Sequence, residues 1–168
     1  ILHYTGGSWS LYATSPTTNH LYSVFMVSAS DGWAVVQYGT ILHYTGGSWS
    51  TVSSPTTNDL YSVFMVSASD GWAVGSWGTI LHYTGGSWSL YATSPTTDHL
   101  YSVFMVSASD GWAVGDYGTI LHYSGPPPPV GGSIAPVNKL AVSAPYVSLL
   151  VLIGAATVAV ATKRNRKT

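Results

Sequence analysis

The sequence contains no cysteine and no glutamate, and none of its five lysines and arginines comes before Lys139. Without cysteine there are no disulfides and no thiolate metal sites. A segment with no cation from residue 1 to 138 cannot neutralise a phosphate backbone, which excludes nucleic acid as a partner. No Gly-x-Ser-x-Gly nucleophile turn occurs, and a glycosidase needs two carboxylates flanking the scissile bond. No Asp-rich loop offers the roughly six to eight oxygens that calcium takes. The expectation is a protein that is not an enzyme, with no cofactor and no metal site.

What the sequence does have is repetition. The phrase "ILHYTGGSWS" opens at Ile1, Ile41 and Ile80, giving units 1–40, 41–79 and 80–119, with a partial fourth at 120–124. The first and third units differ only at Asn19/Asp98, Val36/Gly115 and Gln37/Asp116. All six acidic residues (Asp31, Asp59, Asp70, Asp98, Asp110, Asp116) lie within the units and all five basic ones after them, so the net charge of −1 is −6 plus +5. Because the chain opens inside the phrase and without Met, we expect a fragment of a larger protein.

Within Leu60–Ser89 the pattern reads as short strands and turns. "LYSVFMVS" is an apolar run rich in aromatic and β-branched residues, suited to a buried strand. "ASDG" supplies turn chemistry, with Asp70 capping the turn and Gly71 free to take positive φ. "GWAVGSWG" reads as a second strand ended by Gly78, and "TILHYT" as a third. Gly85–Gly86 is a two-residue hairpin signal, and "SWSLYATS" is a fourth strand stopped by Pro95. Across the hairpin Thr84 faces Ser87, Tyr83 faces Trp88 and His82 faces Ser89. Leu81, Tyr83, Trp88 and Leu90 then share one face, with Ile80, His82, Ser89 and Tyr91 on the other. Both faces are apolar, as in a sheet held between two neighbouring sheets. Four short antiparallel strands in about 40 residues is the period of a β-propeller blade. The fold class is all-β: a partial propeller of three repeats and a broken fourth. Such an arc is too short to close, so an apolar face stays bare at each end, to be covered by further N-terminal blades.

The phrases "DGWAVGDYGTILHY" and "GGSW" resemble the repeat of bacterial and archaeal β-propellers related to the photosystem II stability/assembly factors. Those are akin in turn to the Asp-box (BNR) repeats of sialidases. The resemblance covers about Ile1–Tyr123 and implies a propeller architecture; activity varies widely on that fold. Ser67-Ala68-Ser69-Asp70-Gly71-Trp72 is offset from an Asp box and lacks its Thr-Trp end. The arginines with which sialidases clamp a substrate are missing from the repeats.

The recurring histidines (His3, His43, His82, His122) are read as structural, bonding between blades, since no carboxylate beside them is apparent to orient a metal-binding ring. Asp31, Asp70 and Asp110 are read as turn caps. Trp9, Trp49 and Trp88, with Tyr12, Tyr22, Tyr61, Tyr91 and Tyr101, are placed in inter-blade packing, with stacking on sugar rings as an alternative. The candidate ligand contacts are the variable pairs in the "SPTT" loops: Asn19 and His20, Asn58 and Asp59, Asp98 and His99.

After residue 124 the composition changes. Residues 125–139 form a Pro/Gly-rich linker in which Pro126–Pro129 favours an extended spacer. Residues 140–162 carry no charge and reach the roughly 20 residues that a transmembrane helix needs. Lys163, Arg164, Arg166 and Lys167 in the tail 163–168 orient that helix, placing the C-terminus in the cytoplasm and the repeats outside. This layout resembles the anchors of archaeal surface proteins. The expected function is a single-pass, cell-surface propeller acting in binding or adhesion toward an extracellular protein or glycan, its helix in the lipid bilayer. Two alternatives stand beside it: an extracytoplasmic assembly factor resembling the photosystem II proteins, and a glycan-binding or glycosidase-related propeller whose catalytic part is missing.

Overall fold

A computed structural model describes residues 1–12 and 14–125. The expected linker, membrane helix and basic tail lie outside the described residues. Among those described, no helix is long and apolar enough to cross a membrane.

The repeats form four antiparallel sheets in chain order. The first has two strands, β1 (Leu2–Thr5) and β2 (Ser8–Leu11). The second runs β3 (Leu21–Ser28), β4 (Asp31–Val36), β5 (Ile41–Thr45) and β6 (Ser48–Val52). The third repeats it as β7 (Leu60–Ser67), β8 (Asp70–Gly75), β9 (Ile80–Thr84) and β10 (Ser87–Leu90). The last has three strands, β11 (Leu100–Ser107), β12 (Asp110–Gly115) and β13 (Ile120–Ser124). Within each sheet every strand pairs with the next, so each sheet is the meander of a propeller blade or part of one. The described residues therefore form an open arc, with two complete blades between two partial ones.

The β9–β10 register is the expected one, with Tyr83 opposite Trp88 and His82 opposite Ser89. Gly85 and Gly86 both take positive φ, +62° and +86°, as a type I′ hairpin requires. The first hairpin differs from expectation. Its turn is Ala68–Ser69, held by the Ser69 N–H donating to Ser67 Oγ at 3.2 Å, and Asp70 already belongs to β8. Gly71 does not use positive φ. It is glycine because a Cβ there would lie 2.3 Å from Met65 Sδ, so the thioether lies on bare backbone. The second strand also ends earlier than expected, at Gly75, and gives way to a 3-10 turn at Ser76–Gly78.

The alternation buries both faces of β7–β10 between its two neighbours. One face of β7–β10, with Val63, Met65, Ala73, Leu81 and Trp88, packs on Trp33, Val35 and Ile41 of the preceding blade. Its opposite face, with Trp72, Val74 and Ile80, packs on Leu100, Val103, Met105 and Leu121 of the next. The innermost strands are edge strands, and their outward N–H groups need acceptors. Ser23 Oγ accepts from the Val63 N–H, and Ser62 Oγ from the Val103 N–H at 3.2 Å. Beside them Phe25, Phe64 and Phe104 stand 4.9 Å apart, centroid to centroid, across the two seams. The outer face of β1–β2 (Leu2, Tyr4, Trp9, Leu11) and that of the last sheet (Phe104, Val106, Trp112, Val114, Ile120) are bare.

Candidate functional site

The blades present two edges with different chemistry. One carries the loops entering each innermost strand and the 3-10 turns Gln37–Gly39, Ser76–Gly78 and Asp116–Gly118. The other carries the Ala-Ser and Gly-Gly turns.

On the first edge each 3-10 turn holds an aromatic residue in left-handed backbone: Tyr38 (φ +58°), Trp77 (+57°) and Tyr117 (+53°). That conformation costs an L-residue roughly 1–2 kcal/mol, and strain of this kind collects where function needs a side chain presented. Where a blade follows, the turn is fixed from both sides. The Thr79 N–H donates to the Ser76 carbonyl at 3.1 Å and the Gly78 N–H to the Asp98 carbonyl of the next blade at 2.8 Å. A Cβ on Gly78 would meet Thr96 O at 1.9 Å. All three rings are exposed, Tyr117 at 95% and Trp77 at 68%. Toward the innermost strands runs a second aromatic series. Tyr22 and Tyr61 are 5.2 Å apart and Tyr61 and Tyr101 5.3 Å.

The variable pairs support this aromatic surface from beneath. Asn58 Nδ2 donates to Thr79 Oγ1 at 2.8 Å, and Asp98 Oδ2 accepts from Thr119 Oγ1 at 2.6 Å. Asp59 Oδ1 accepts the Tyr38 N–H at 2.7 Å. His99, at the equivalent position one blade on, lies 5.3 Å from the Trp77 ring and 6.3 Å from Tyr101, nearly parallel to it. Its Nδ1 is buried without a hydrogen-bond partner. The Asn19 backbone N–H donates to Thr17 Oγ1 of its own loop at 3.1 Å, and the exposed His20 offers its carbonyl to the Gln37 N–H. The loops are tied internally as well: Ser54 and Ser94 donate to the carbonyls of Thr56 and Thr96. The structure thus brings Asn58, Asp59, Asp98 and His99 to the seams, while Asn19 and His20 stand at the start of the arc. Lys163, Arg164, Arg166 and Lys167 lie outside the described residues.

The field on this edge is negative. Burial, then the nearby Asp59 carboxylate, holds the Tyr61 phenol above its ordinary pKa. Tyr101 is raised by desolvation and by its 3.3 Å hydrogen bond to Asp116. The aromatic turns escaped the sequence reading. The repeated aromatic-Gly-Thr after each second strand is the signal that marks them.

The opposite edge corrects two readings. Three of the four recurring histidines, those whose sheet includes a second strand, do have a carboxylate. His43, His82 and His122 bond through Nε2 to Asp31, Asp70 and Asp110 at 2.8 Å. These aspartates are therefore histidine partners rather than turn caps, and the bonds lie within a blade rather than between blades. The reason is register: Trp72 pairs with His82 and Asp70 with Thr84, which sets Asp70 diagonally within reach of the imidazole. Trp72 then stacks on His82 at 4.0 Å and 12°. The nearby Ser89 hydroxyl donates to the His82 carbonyl at 3.3 Å, not to the imidazole, so the pair addresses no nucleophile. Among the described residues no three His or Asp gather to hold a metal. Trp49 and Trp88 are buried in seams, out of reach of a sugar ring.

No protein-family model matches the chain, and no curated protein does. Solved structures do. The repeats are similar to YCF48 bound to D1 peptide, with 21% identity over 66% of this chain and 39% of that one and a TM-score of 0.58. They are similar to YCF48 from Cyanidioschyzon merolae, at 18% over 73% and 44% with a TM-score of 0.62. A virginiamycin B lyase from Staphylococcus aureus is similar at 16% over 67% and 43%, with a TM-score of 0.50. At these identities the likeness establishes the fold, a β-propeller, and nothing of its activity. The chain spans about two-fifths of the length of each.

Proposed function

We propose that the chain is a non-enzymatic binding module whose ligand is a polypeptide, received on the aromatic edge, and that residues 140–162 anchor it with the repeats outside the cell. The observation that carries the reading is the row of left-handed aromatics. All three are exposed, although Trp77 also touches His99 of the next blade, and each is held at a conformational cost. Tyr and Trp give large contact area with little side-chain entropy to lose, which suits a protein-binding surface. A YCF48 propeller bound to a D1 peptide supports a peptide over a glycan. It also favours the second reading, an extracytoplasmic assembly factor that holds a client segment.

Replacing Trp77 and Tyr117 by Gly separates binding from stability. The double variant should melt higher, because glycine accepts positive φ freely, and should lose its partners on a peptide array probed with the full chain. Unchanged peptide capture, or capture of glycans alone on a glycan array, would overturn the reading. For the anchor, protease added to intact cells should remove the repeats and spare the "KRNRKT" end. Digestion of that end from outside refutes it.

A further inference from the structure

Half of the carboxylates in the repeats have a partner. Asp31, Asp70 and Asp110 each hold a histidine on the edge of the Ala-Ser and Gly-Gly turns. Asp59, Asp98 and Asp116 all lie on the aromatic edge, and among the described residues none of them has a cationic partner. Substitution has collected on the same edge. Asn19/Asp98, Val36/Gly115 and Gln37/Asp116, the differences between units 1–40 and 80–119, sit in the loop before an innermost strand or at the entry to a 3-10 turn. The middle unit places Asp59 where the others have His20 and His99. Between copies otherwise identical, variation is confined to the edge at which a ligand would be met.

Two seams of this edge are built from both sides, and they differ in chemistry. At the first, between β3–β6 and β7–β10, Asp59 Oδ1 accepts the N–H of the exposed Tyr38 at 2.7 Å. The Asp59 main chain is fixed from its own blade, its carbonyl accepting the Ser76 N–H at 2.8 Å. The half-buried carboxylate is thus held in place with its second oxygen left over. Its charge reaches the Tyr61 phenol, whose pKa is raised by burial and then by Asp59. Tyr22 stands edge-on to the Tyr61 ring, 5.2 Å away. At the second seam, between β7–β10 and the last sheet, the equivalent residue is His99. Its ring lies 5.3 Å from Trp77, 6.2 Å from Tyr61 and 6.3 Å from Tyr101, with Nδ1 buried. One seam therefore presents a carboxylate among tyrosines, and the other presents rings.

We propose that the Asp59 seam is the subsite for a lysine or arginine side chain of the bound polypeptide, a refinement that rests on reading the aromatic edge as a peptide surface. A carboxylate beside aromatic rings suits such a group twice over. The cation bonds the carboxylate oxygen that the Tyr38 N–H leaves free, and the electron-rich rings of Tyr38 and Tyr61 attract it further. Half-burial strengthens both attractions relative to open water, because less solvent screens them. The long apolar stem of lysine or arginine covers ring surface while its charged head stays at the carboxylate. No lysine or arginine among the described residues competes for the place, and an acidic side chain is repelled from it. The His99 seam offers a cation no carboxylate, so the preference belongs to one seam.

The test uses the full chain in mild detergent on an array of peptides, each sequence present with arginine, citrulline or glutamate at one central position. Citrulline keeps the shape of arginine and lacks its charge. Capture of the arginine form should exceed that of the citrulline form about tenfold, and the margin should shrink as salt is added. Glutamate forms should be captured least. Asp59→Asn retains an oxygen for the Tyr38 N–H and removes only the charge. It should keep the melting temperature near its original value and erase the arginine preference, whereas a merely structural Asp59 would leave the preference standing. Equal capture of arginine and citrulline forms by the unaltered chain overturns the subsite. So does an arginine preference that survives Asp59→Asn. The two readings fail differently. A chain that captures no peptide at all sinks the peptide surface and the subsite with it. Capture that is lost on replacing Trp77 and Tyr117 by Gly, yet ignores the charge at the central position, sinks the subsite alone.

Discussion

Leu81 and Leu2 hold the same position in the repeat, as do Trp88 and Trp9, yet their surroundings are opposite. Leu81 is fully buried and Leu2 is 63% exposed; Trp88 is 7% exposed and Trp9 68%. Identical residues in identical strands differ because β9–β10 has a blade on each side and β1–β2 has one. Burial in this protein is therefore a property of neighbours more than of sequence. A blade cannot bury both of its apolar faces alone, and stability accumulates seam by seam.

The sharpest way to break that comparison is to truncate both leucines. Leu81→Ala should cost about 2–5 kcal/mol, as large-to-small changes in a packed core do. Leu2→Ala should stay within about 0.5 kcal/mol, the usual range at an exposed position. Urea denaturation at low protein concentration measures both. Equal costs would mean that Leu2 is covered in solution.

Glycines give the next contrast. Gly78 and Gly118 both have positive φ, +67° and +77°, but a Cβ on Gly78 would collide with Thr96 O and one on Gly118 would meet nothing within 4 Å. Both alanine variants incur the left-handed strain of roughly 1 kcal/mol. Gly78→Ala must also push the next blade's loop aside, and should lose about 2 kcal/mol more. Thermal melts that rank Gly118→Ala as the worse variant would contradict the placement of that loop.

The histidine–aspartate pairs repeat the comparison on a smaller scale. The side chains of His82 and Asp70 are 30% and 26% exposed, while His122 and Asp110 at the open end are each 46% exposed. Asp70→Ala should cost about 1 kcal/mol, typical of a partly buried hydrogen bond. Asp110→Ala should cost less, because solvent competes at the open end. A double-mutant cycle on each pair reads the difference, and equal coupling energies would reject the argument.

Much of the architecture is legible in the sequence. The 40-residue period, the Gly-Gly hairpins and the two apolar faces led to four-stranded blades, with partial ones at the ends, and the β9–β10 register was read directly. The failures share one cause. Sequence spacing along one strand does not reveal a diagonal neighbour on the next, so the Asp70–His82 bond was invisible and Asp70 was assigned to a turn. Gly71 was misread for the same reason, since its requirement comes from Met65 across the sheet. The aromatic turns were overlooked because tyrosine and tryptophan rarely take positive φ, and nothing local to "SWG" demands it. The fixing contacts come from the following blade. The variable pairs were correctly placed in loops, but their side chains largely turn to the seams and support the aromatic surface.

The smallest expected effect concerns the tyrosines of that surface. Tyr61, in the complete blade, is flanked by Tyr22 and Tyr101, whereas Tyr101 has a tyrosine neighbour on one side only. Burial is the leading cause of the raised Tyr61 pKa and Asp59 the next. A phenol whose folded pKa lies above its unfolded value binds its proton more tightly in the native state. Its contribution to stability is thus fully present below about pH 10, the ordinary tyrosine value, and disappears as the pH rises through the raised one. Tyr61→Phe should therefore remove a late, alkaline part of the ultraviolet difference titration and flatten the loss of stability over that interval. Asp59→Asn should move the same part of the titration downward without bringing it to the ordinary value, because the burial remains. A titration unchanged by Tyr61→Phe would show that the phenol is solvated, and with it that the seam beneath the aromatic edge is looser than the buried Leu60 and Leu100 beside it imply.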